Sequence, residues 1–471
     1  MHKFRPIRWF TVFLLSLQSS LLADNMTTTQ ETPPPPPPSY QYFRYDEDYS
    51  YLANPAMQND WFDPIKYIPL PVNDPDFYVT FGGEVRERFE GYYDLNFGIG
   101  NGPDSYWLQR LAIYSDIHLG PRVRIFAEGI SGLVAGASTP PPLTENDPID
   151  LEFAFIDLVP YLTDDARLTV RTGRFGMYFG SGRLVAPRDS TNIPQRFDGV
   201  ETIYSLRFWE ATAFLTQPVA DSGGLSGADH ATTFWGLYLT HWFDKPHNDG
   251  LDVYYLGIHN KAGSYASGTG DEHRQSFGVR EFGEWKQWDW NTEVVAQSGT
   301  FGNQSIRAWT ASEDSGYTFD AKGQPRLGLR ADVASGDSHP SGGPQGTFDP
   351  LYFKSPYFND ASMIRPANII DVHPNASVNL TPTMSVNGGV DVIWRYSNKD
   401  AIYGPPGNVE VPALQTGTNY ATTAVDVNLN WQIQQHISFG ASYVHFFTGS
   451  YIHEAGGRDV DYVSTTVSFL F

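Results

Sequence analysis

The sequence contains no cysteine. That excludes disulfides, thiolate metal sites and a lipid-modified N-terminal cysteine. Lysine is scarce: 8 of the 31 basic side chains are Lys, and 53 acidic side chains bring the formal net charge to −22. This balance excludes a nucleic-acid partner, because clustered Lys and Arg are what neutralise phosphates. No segment reaches the ~18 consecutive apolar residues that a spanning helix needs, and the mean hydropathy is negative. If this chain enters a membrane, it does so as a closed barrel, since only helices and closed barrels satisfy every backbone polar group in lipid. The 12 histidines are scattered without metal-ligand spacing. The glycine-rich turn at Gly98, Gly100 and Gly102 has no following helix, so no nucleotide site, metal or cofactor is expected. Asp337 with Asp349, and Glu145 with Asp147, read as solvated loop acids without a coordination pattern.

Aromatic residues are abundant, at 15%, and Tyr and Trp favour membrane–water interfaces. Residues 1–23 read as a secretory signal: Lys3, Arg5 and Arg8 precede the apolar stretch Trp9 to Leu22, and Ala23 ends a cleavage site. Residues 24–76, with six prolines from Pro33 to Pro38, read as an irregular, Pro-rich periplasmic arm containing a stiff polyproline spacer; plain disorder is the competing reading.

From 77 to 471 the pattern has period two. Phe77, Val79, Phe81, Val85 and Phe89 lie on one face, and Glu84, Arg86, Arg88 and Glu90 on the other. The same alternation recurs in Leu327, Leu329 and Val333 against Arg326, Arg330 and Asp332, and in Val463, Val467 and Phe469 against Ser464, Thr466 and Ser468. A soluble sandwich also alternates. Connection lengths separate the two. Short turns near Gly120, 163–165, 381–383 and 434–436 alternate with long connections near 134–148, 177–196, 337–367 and 398–418. Outer-membrane barrels show this alternation; the short connection near Gly302 departs from it. The chain stops on an amphipathic strand ending in Phe471, like chains handed to the outer-membrane assembly machinery. The expected fold is an all-β, transmembrane antiparallel β-barrel of about 18 strands over 77–471, in the bacterial outer membrane and in contact with its lipid.

Residues 166–200 carry Arg167, Arg171, Arg174, Arg183, Arg188 and Arg196 against Asp189 and Asp198, a local +4. Arg171 and Arg174 have opposite parity, so a bend is expected between them for both to face the lumen. Other lumen faces add Arg86, Arg88, Arg110, Arg124, Arg326, Arg330 and Arg395. Guanidinium is a planar fork suited to carboxylates, so such a lining would attract an anionic saccharide or small-acid solute. The competing reading is cross-strand pairing with acids such as Glu84, Asp116 and Asp332, which stiffens a barrel and selects nothing. For the 166–200 cluster the nearby acids are too few for that.

The same segment carries a family resemblance. Val170–Arg171–Thr172–Gly173–Arg174, Gly180–Ser181–Gly182–Arg183–Leu184–Val185, Arg188–Asp189 and Arg196–Phe197–Asp198–Gly199–Val200 are similar to the core motif of the alginate export family. Weaker pieces follow in order: Val85–Arg86–Glu87–Arg88, Leu108–Gln109–Arg110–Leu111, Ala334–Ser335–Gly336–Asp337 and Trp394–Arg395–Tyr396–Ser397. The resemblance implies an 18-stranded outer-membrane porin with an Arg-lined constriction, similar to the porin that exports alginate. On the matching motifs, Arg174, Arg183, Arg188, Asp189 and Arg196 are the first candidates for that constriction. Arg86, Arg88, Arg110, Arg330 and Arg395 are the second. No catalytic residue is expected. Two alternatives stay open: a secreted all-β polysaccharide-degrading enzyme, which would need paired carboxylates or a Tyr/His base in a cleft, and a plugged structural barrel.

Overall fold

The computed structural model describes residues 39–471, apart from 101, 139, 245–247 and 415–416; the signal segment and the proline run lie outside the described residues. Eighteen long strands form one antiparallel wall. The first six are β1 (Phe77–Tyr92), β2 (Asp104–Leu119), β3 (Val123–Ala135), β4 (Asp147–Leu162), β5 (Ala166–Phe175) and β6 (Phe197–Leu206). Next come β7 (Trp209–Ala220), β8 (Thr232–Asp244), β9 (Asp249–Tyr265), β10 (Gly268–Trp285), β11 (Trp288–Phe301) and β12 (Gln304–Thr318). The last six are β13 (Arg326–Ala334), β14 (Ile369–Thr381), β15 (Met384–Arg395), β16 (Tyr420–Gln434), β17 (Ile437–Thr448) and β18 (Val460–Leu470). Each pairs with its sequence neighbour, and β1 pairs with β18 from Glu84↔Leu470 to Tyr92↔Tyr462, which closes the barrel and leaves no edge.

The period-two pattern sorts as its chemistry demands. Trp107, Leu111, Ile113, Leu215, Leu327, Leu329 and Val467 are exposed on the outer wall, while Arg86, Arg88, Glu90, Arg110 and Asp116 are buried inside. Phe469 and Val392 are half-exposed rather than sealed in a dry core. The interior is not uniformly polar. Phe126, Phe153 and Phe155 point inward and pack on Phe43 and Tyr45 of the N-terminal arm, with Tyr45 and Phe155 centroids 5.0 Å apart.

The described part of the arm, expected as an irregular segment, is docked on the barrel. Residues 39–76 hold short helical turns and a two-residue strand, Ile68–Pro69, paired with Val79 and Tyr78 of β1, and they fold against the inner wall. Tyr45 Oη donates to the Gly176 carbonyl (3.1 Å), Arg44 donates to the carbonyls of Gly83 (3.0 Å) and Phe471 (3.2 Å), and the Arg171 guanidinium lies 4.6 Å from the centre of the Tyr45 ring. Burial, with Arg44 adding to it, pulls the Lys66 ammonium down to about 7, where its Nζ donates to Tyr114 Oη at 3.0 Å. An aromatic–cation–aromatic triplet, Phe43–Arg44–Tyr45, is the sequence feature behind this docking.

Short turns lie at one rim and the long connections at the other, and the short connections at 266–267 and 302–303 also lie at the long-loop rim. The bend expected in β5 is absent. β5 stays in continuous register from Arg171↔Asp157 to Arg174↔Ala154, so Arg171 and Arg174 face opposite sides. Gly173 permits this close pairing with a φ of 132°: a Cβ there would lie 2.2 Å from the Ala154 carbonyl oxygen. An outward apolar position tests the assignment of faces. Leu215→Arg, replacing a side chain 54% exposed on the outer wall, is expected to destabilise the folded barrel by about 2–4 kcal/mol, read by reversible denaturant unfolding in lipid vesicles.

Candidate functional site

Two long connections, 176–196 and 335–368, fold back into the lumen and meet there. Gly180, Gly182 and Arg188 take left-handed φ values of 56°, 71° and 56°, which turn the first connection inward. The two then zip together through backbone bonds. Tyr352 N donates to Leu184 O (2.8 Å), Ala186 N to Tyr352 O (2.7 Å), Lys354 N to Gly182 O (2.7 Å) and Ser190 N to Ser355 O (3.0 Å). The Ser190 and Ser355 hydroxyls meet at 2.6 Å. Leu184, Val185, Phe348 and Phe353 are buried beneath this band, so apolar burial and paired amides together hold it across the lumen.

Wall arginines grip the band. Arg110 Nε donates to Asn192 O (2.8 Å), and its Nη atoms donate to Thr191 O (2.6 Å) and Asp189 Oδ1 (2.9 Å). Arg86 donates to Asp189 O and Thr191 O, both at 3.0 Å. Arg88 reaches Ser190 O (3.4 Å) and pairs with Glu90 (2.6 Å). Enclosure by the barrel raises the Asp189 carboxyl, but Arg110 and Arg86 outweigh it and hold the group below the usual carboxylate range. Asp189 is half-exposed and borders two lumen cavities. One, of about 580 Å³, is also lined by Arg86, Arg88, Asp360 and Asn428; the other, of about 390 Å³, by Arg110, Glu128 and the arm residues Tyr42 and Arg44. Asn192, which the sequence did not flag, is fully buried and donates to the carbonyls of Gln109, Leu133 and Glu145 at 3.0–3.2 Å.

A second cluster surrounds Tyr357. Arg183 pairs with Glu293 (3.1 Å) and Asp332 and contacts Tyr357 Oη. Arg330 pairs with Asp391 (2.8 Å) and donates to the carbonyls of Tyr357 (3.1 Å) and Phe358 (3.4 Å). Lys354, also missed in the sequence, sits half-buried here. Burial, then Arg183 and Arg330, bring its ammonium down to about 8.

The other sequence candidates lie apart. Arg174 pairs with Asp198 (2.7 and 2.9 Å) in the alternate set that carries exposed Ile156 and Val200, not on the lumen face. Arg196 is clamped by Asp150 and Asp221, and Arg395 holds the carbonyls of Asn398 and Thr418 while stacking 3.5 Å from the Tyr451 ring centre. These three brace loop roots. Arg188 differs: its half-buried side chain has no hydrogen bond or ion pair among the described residues, and burial pulls its guanidinium below its ordinary range. Much of the local excess of Arg in 166–200 is thus met by acids outside the segment, Asp150, Asp157, Glu293 and Asp332; Arg167, which donates to Thr169 Oγ1 (3.2 Å), and Arg188 have no acid partner among the described residues. The acids read as solvated are also engaged: Asp349 pairs with Arg365, Glu145 accepts from Asn192 N (2.9 Å), Asp147 from Gly224 N (2.9 Å) and Asp337 from His339 N (2.7 Å).

Comparison with known proteins agrees with this architecture. No curated protein sequence matches the chain. Among solved structures, OpdO of Pseudomonas aeruginosa is similar at 11% identity, covering 83% of this chain and 97% of that one, with a TM-score of 0.56. A BenF-like porin from Pseudomonas fluorescens Pf-5 is similar at 8% identity, with 83% and 99% coverage and a TM-score of 0.57. OccK2 of Pseudomonas aeruginosa, solved in complex with glucuronate, shares 9% identity, with 83% and 98% coverage and a TM-score of 0.56. These likenesses show the fold, an outer-membrane porin barrel. The family model described as alginate export matches residues 77–466. The chain therefore belongs to the alginate export family of outer-membrane porins.

Proposed function

We propose that this porin passes small carboxylated solutes, saccharide acids in particular, through a constriction formed where the band 176–196 meets Arg86, Arg88 and Arg110. The observation that carries the reading is Arg188. A half-buried guanidinium without an acceptor is costly, and a passing carboxylate supplies the missing bidentate partner. Lys354 lies on the same band and adds a positive group that no acid pairs with among the described residues. Arg174, Arg196 and Arg395 act in this reading as braces that keep the band in position. The glucuronate bound by OccK2 is a solute of the proposed class, and the family description names export of a uronate polymer. In this reading the short-turn rim and the arm 39–76 face the periplasm. A second reading, a barrel plugged by the arm and the band, is favoured by the same docking of Phe43 and Tyr45; absence of any conductance from correctly inserted protein would decide for it.

Reversal potential across a KCl gradient in planar bilayers tests the proposal, with anion selectivity expected. A unit charge acting on an ion at about 5 Å in water contributes about 0.8 kcal/mol, about four-fold in relative permeability. Arg188→Gln is expected to lower the anion preference by that order without changing thermal stability; an unchanged reversal potential would count against the constriction. Lys354 supplies a pH signature. Its ammonium is charged below about 8 and neutral above, so anion preference is expected to fall as pH rises from 7 to 9. Lys354→Arg should abolish that step in the same recording.

A further inference from the structure

On the lumen face of β14, β15 and β16, apart from Arg188 and the arginine grip, three ligand-type side chains converge. His373 stands opposite Arg330 on β13, and Asp426 opposite Gly389 on β15. Gly389 leaves a notch that the imidazole fills: a Cβ there would lie 1.9 Å from His373 Nε2. The Nε2–Cδ2 edge of the ring is thus fitted against the wall, with Asp391 beside Nδ1 and Asp426 nearest Nε2. His373 Nδ1 is 2.9 Å from Asp391 Oδ1 and Nε2 is 3.8 Å from Asp426 Oδ1. One donor atom from each of the three residues lies within 4.8 Å of the others.

Two observations point to a ligand. All three side chains are more than nine-tenths buried, yet neither His373 nitrogen nor Asp426 Oδ1 has a hydrogen bond of acceptable geometry. Buried polar atoms are ordinarily satisfied, and unsatisfied ones are costly. Charge is also out of balance. Carboxyl groups outnumber cations here: Asp332, Asp371, Asp391, Asp426 and Glu293 face Arg183, Arg330 and Lys354. Both Asp371 carboxylate oxygens also lack hydrogen bonds. We infer that His373, Asp391 and Asp426 form a binding site for one divalent transition-metal ion of the zinc class. An imidazole nitrogen and two carboxylate oxygens, at about 2.0–2.2 Å each, make three tetrahedral ligands and leave the fourth position to lumen water. The ion's charge offsets this excess of carboxyl groups. Calcium, which prefers oxygen donors, would make no use of His373. The ligands come from three strands, so no spacing in the sequence announces them.

An exposed cluster on the outer wall, His259, Asp271 and His273, is a weaker candidate. Its imidazoles stack in parallel, 3.9 Å apart at 11°, so their lone pairs do not converge. It is nonetheless removed from the test by placing His259→Gln and His273→Gln in the background. Chelator-stripped, detergent-solubilised protein of this background is titrated with Zn²⁺ and with Ca²⁺ by calorimetry. One Zn²⁺ per chain is expected, with Ca²⁺ at least ten-fold weaker. His373→Gln and Asp426→Asn should each weaken Zn²⁺ at least ten-fold while heat-modifiable gel mobility stays native. Gly389→Ala, which displaces the imidazole without removing a ligand, should do the same if either of those variants fails to fold. No Zn²⁺ binding, Zn²⁺ binding indifferent to His373→Gln, or Ca²⁺ binding as tight as Zn²⁺ would each overturn the assignment.

Discussion

Every backbone N–H and C=O at membrane depth must be bonded within the protein, and this chain meets that constraint by pairing β1 with β18. Once the ladder closes, each strand has one side toward lipid and one toward the lumen, and sequence parity decides which residues go where. Leu215, Leu327 and Val467 are acceptable outside; Arg86, Arg110 and Asp157 are acceptable only inside. Closure therefore concentrates the charged residues of the wall in one narrow space, where each must find a partner or meet a solute.

Arginine solves that problem in a way lysine does not. A guanidinium presents several donors in a fixed plane, so one side chain can bind a carboxylate and backbone carbonyls together. Arg110 holds Asp189, Thr191 and Asn192; Arg330 holds Asp391, Tyr357 and Phe358; Arg395 holds Asn398, Asp400 and Thr418. Each of these grips links a rigid strand to an inward or rim-folded loop whose carbonyls would otherwise go unpaired. The preference for Arg over Lys in the composition thus follows from loop anchoring as much as from any attraction for solutes. Among the cations of the two lumen connections, Arg188 and Lys354 stand outside these grips.

Much of the fold was legible because period two, loop length and closure are local or nearly local signals. The alternation in Phe77–Tyr92 predicted which residues face lipid, and the connections 177–196 and 337–367 stood out by length. The site was less legible for a physical reason: pairing in a barrel is between strands, not along them. The charge of 166–200 looked unbalanced because Asp150, Glu293 and Asp332, which neutralise it, lie elsewhere in the chain. Arg174 was placed inside by a bend that the ladder does not contain. The docking of the arm leaves no local signal because Phe43 and Tyr45 find aromatic partners on the wall strands, at Phe126, Phe153 and Phe155. Asn192 gave no signal, since its three carbonyl partners are created by the inward fold of the loop it anchors.

The account rests on two long connections crossing the lumen and meeting there, and a thiol pair tests that contact directly. The native chain has no cysteine, so Ser190→Cys with Ser355→Cys, at hydroxyls 2.6 Å apart, introduces the only two thiols. A disulfide within one chain is expected to form spontaneously in air, leaving single-channel conductance unchanged because the band already spans the lumen. Two free thiols that persist under oxidant in the inserted protein, or a bond whose formation alters the conductance, would contradict a lumen bridged by the zipped loops.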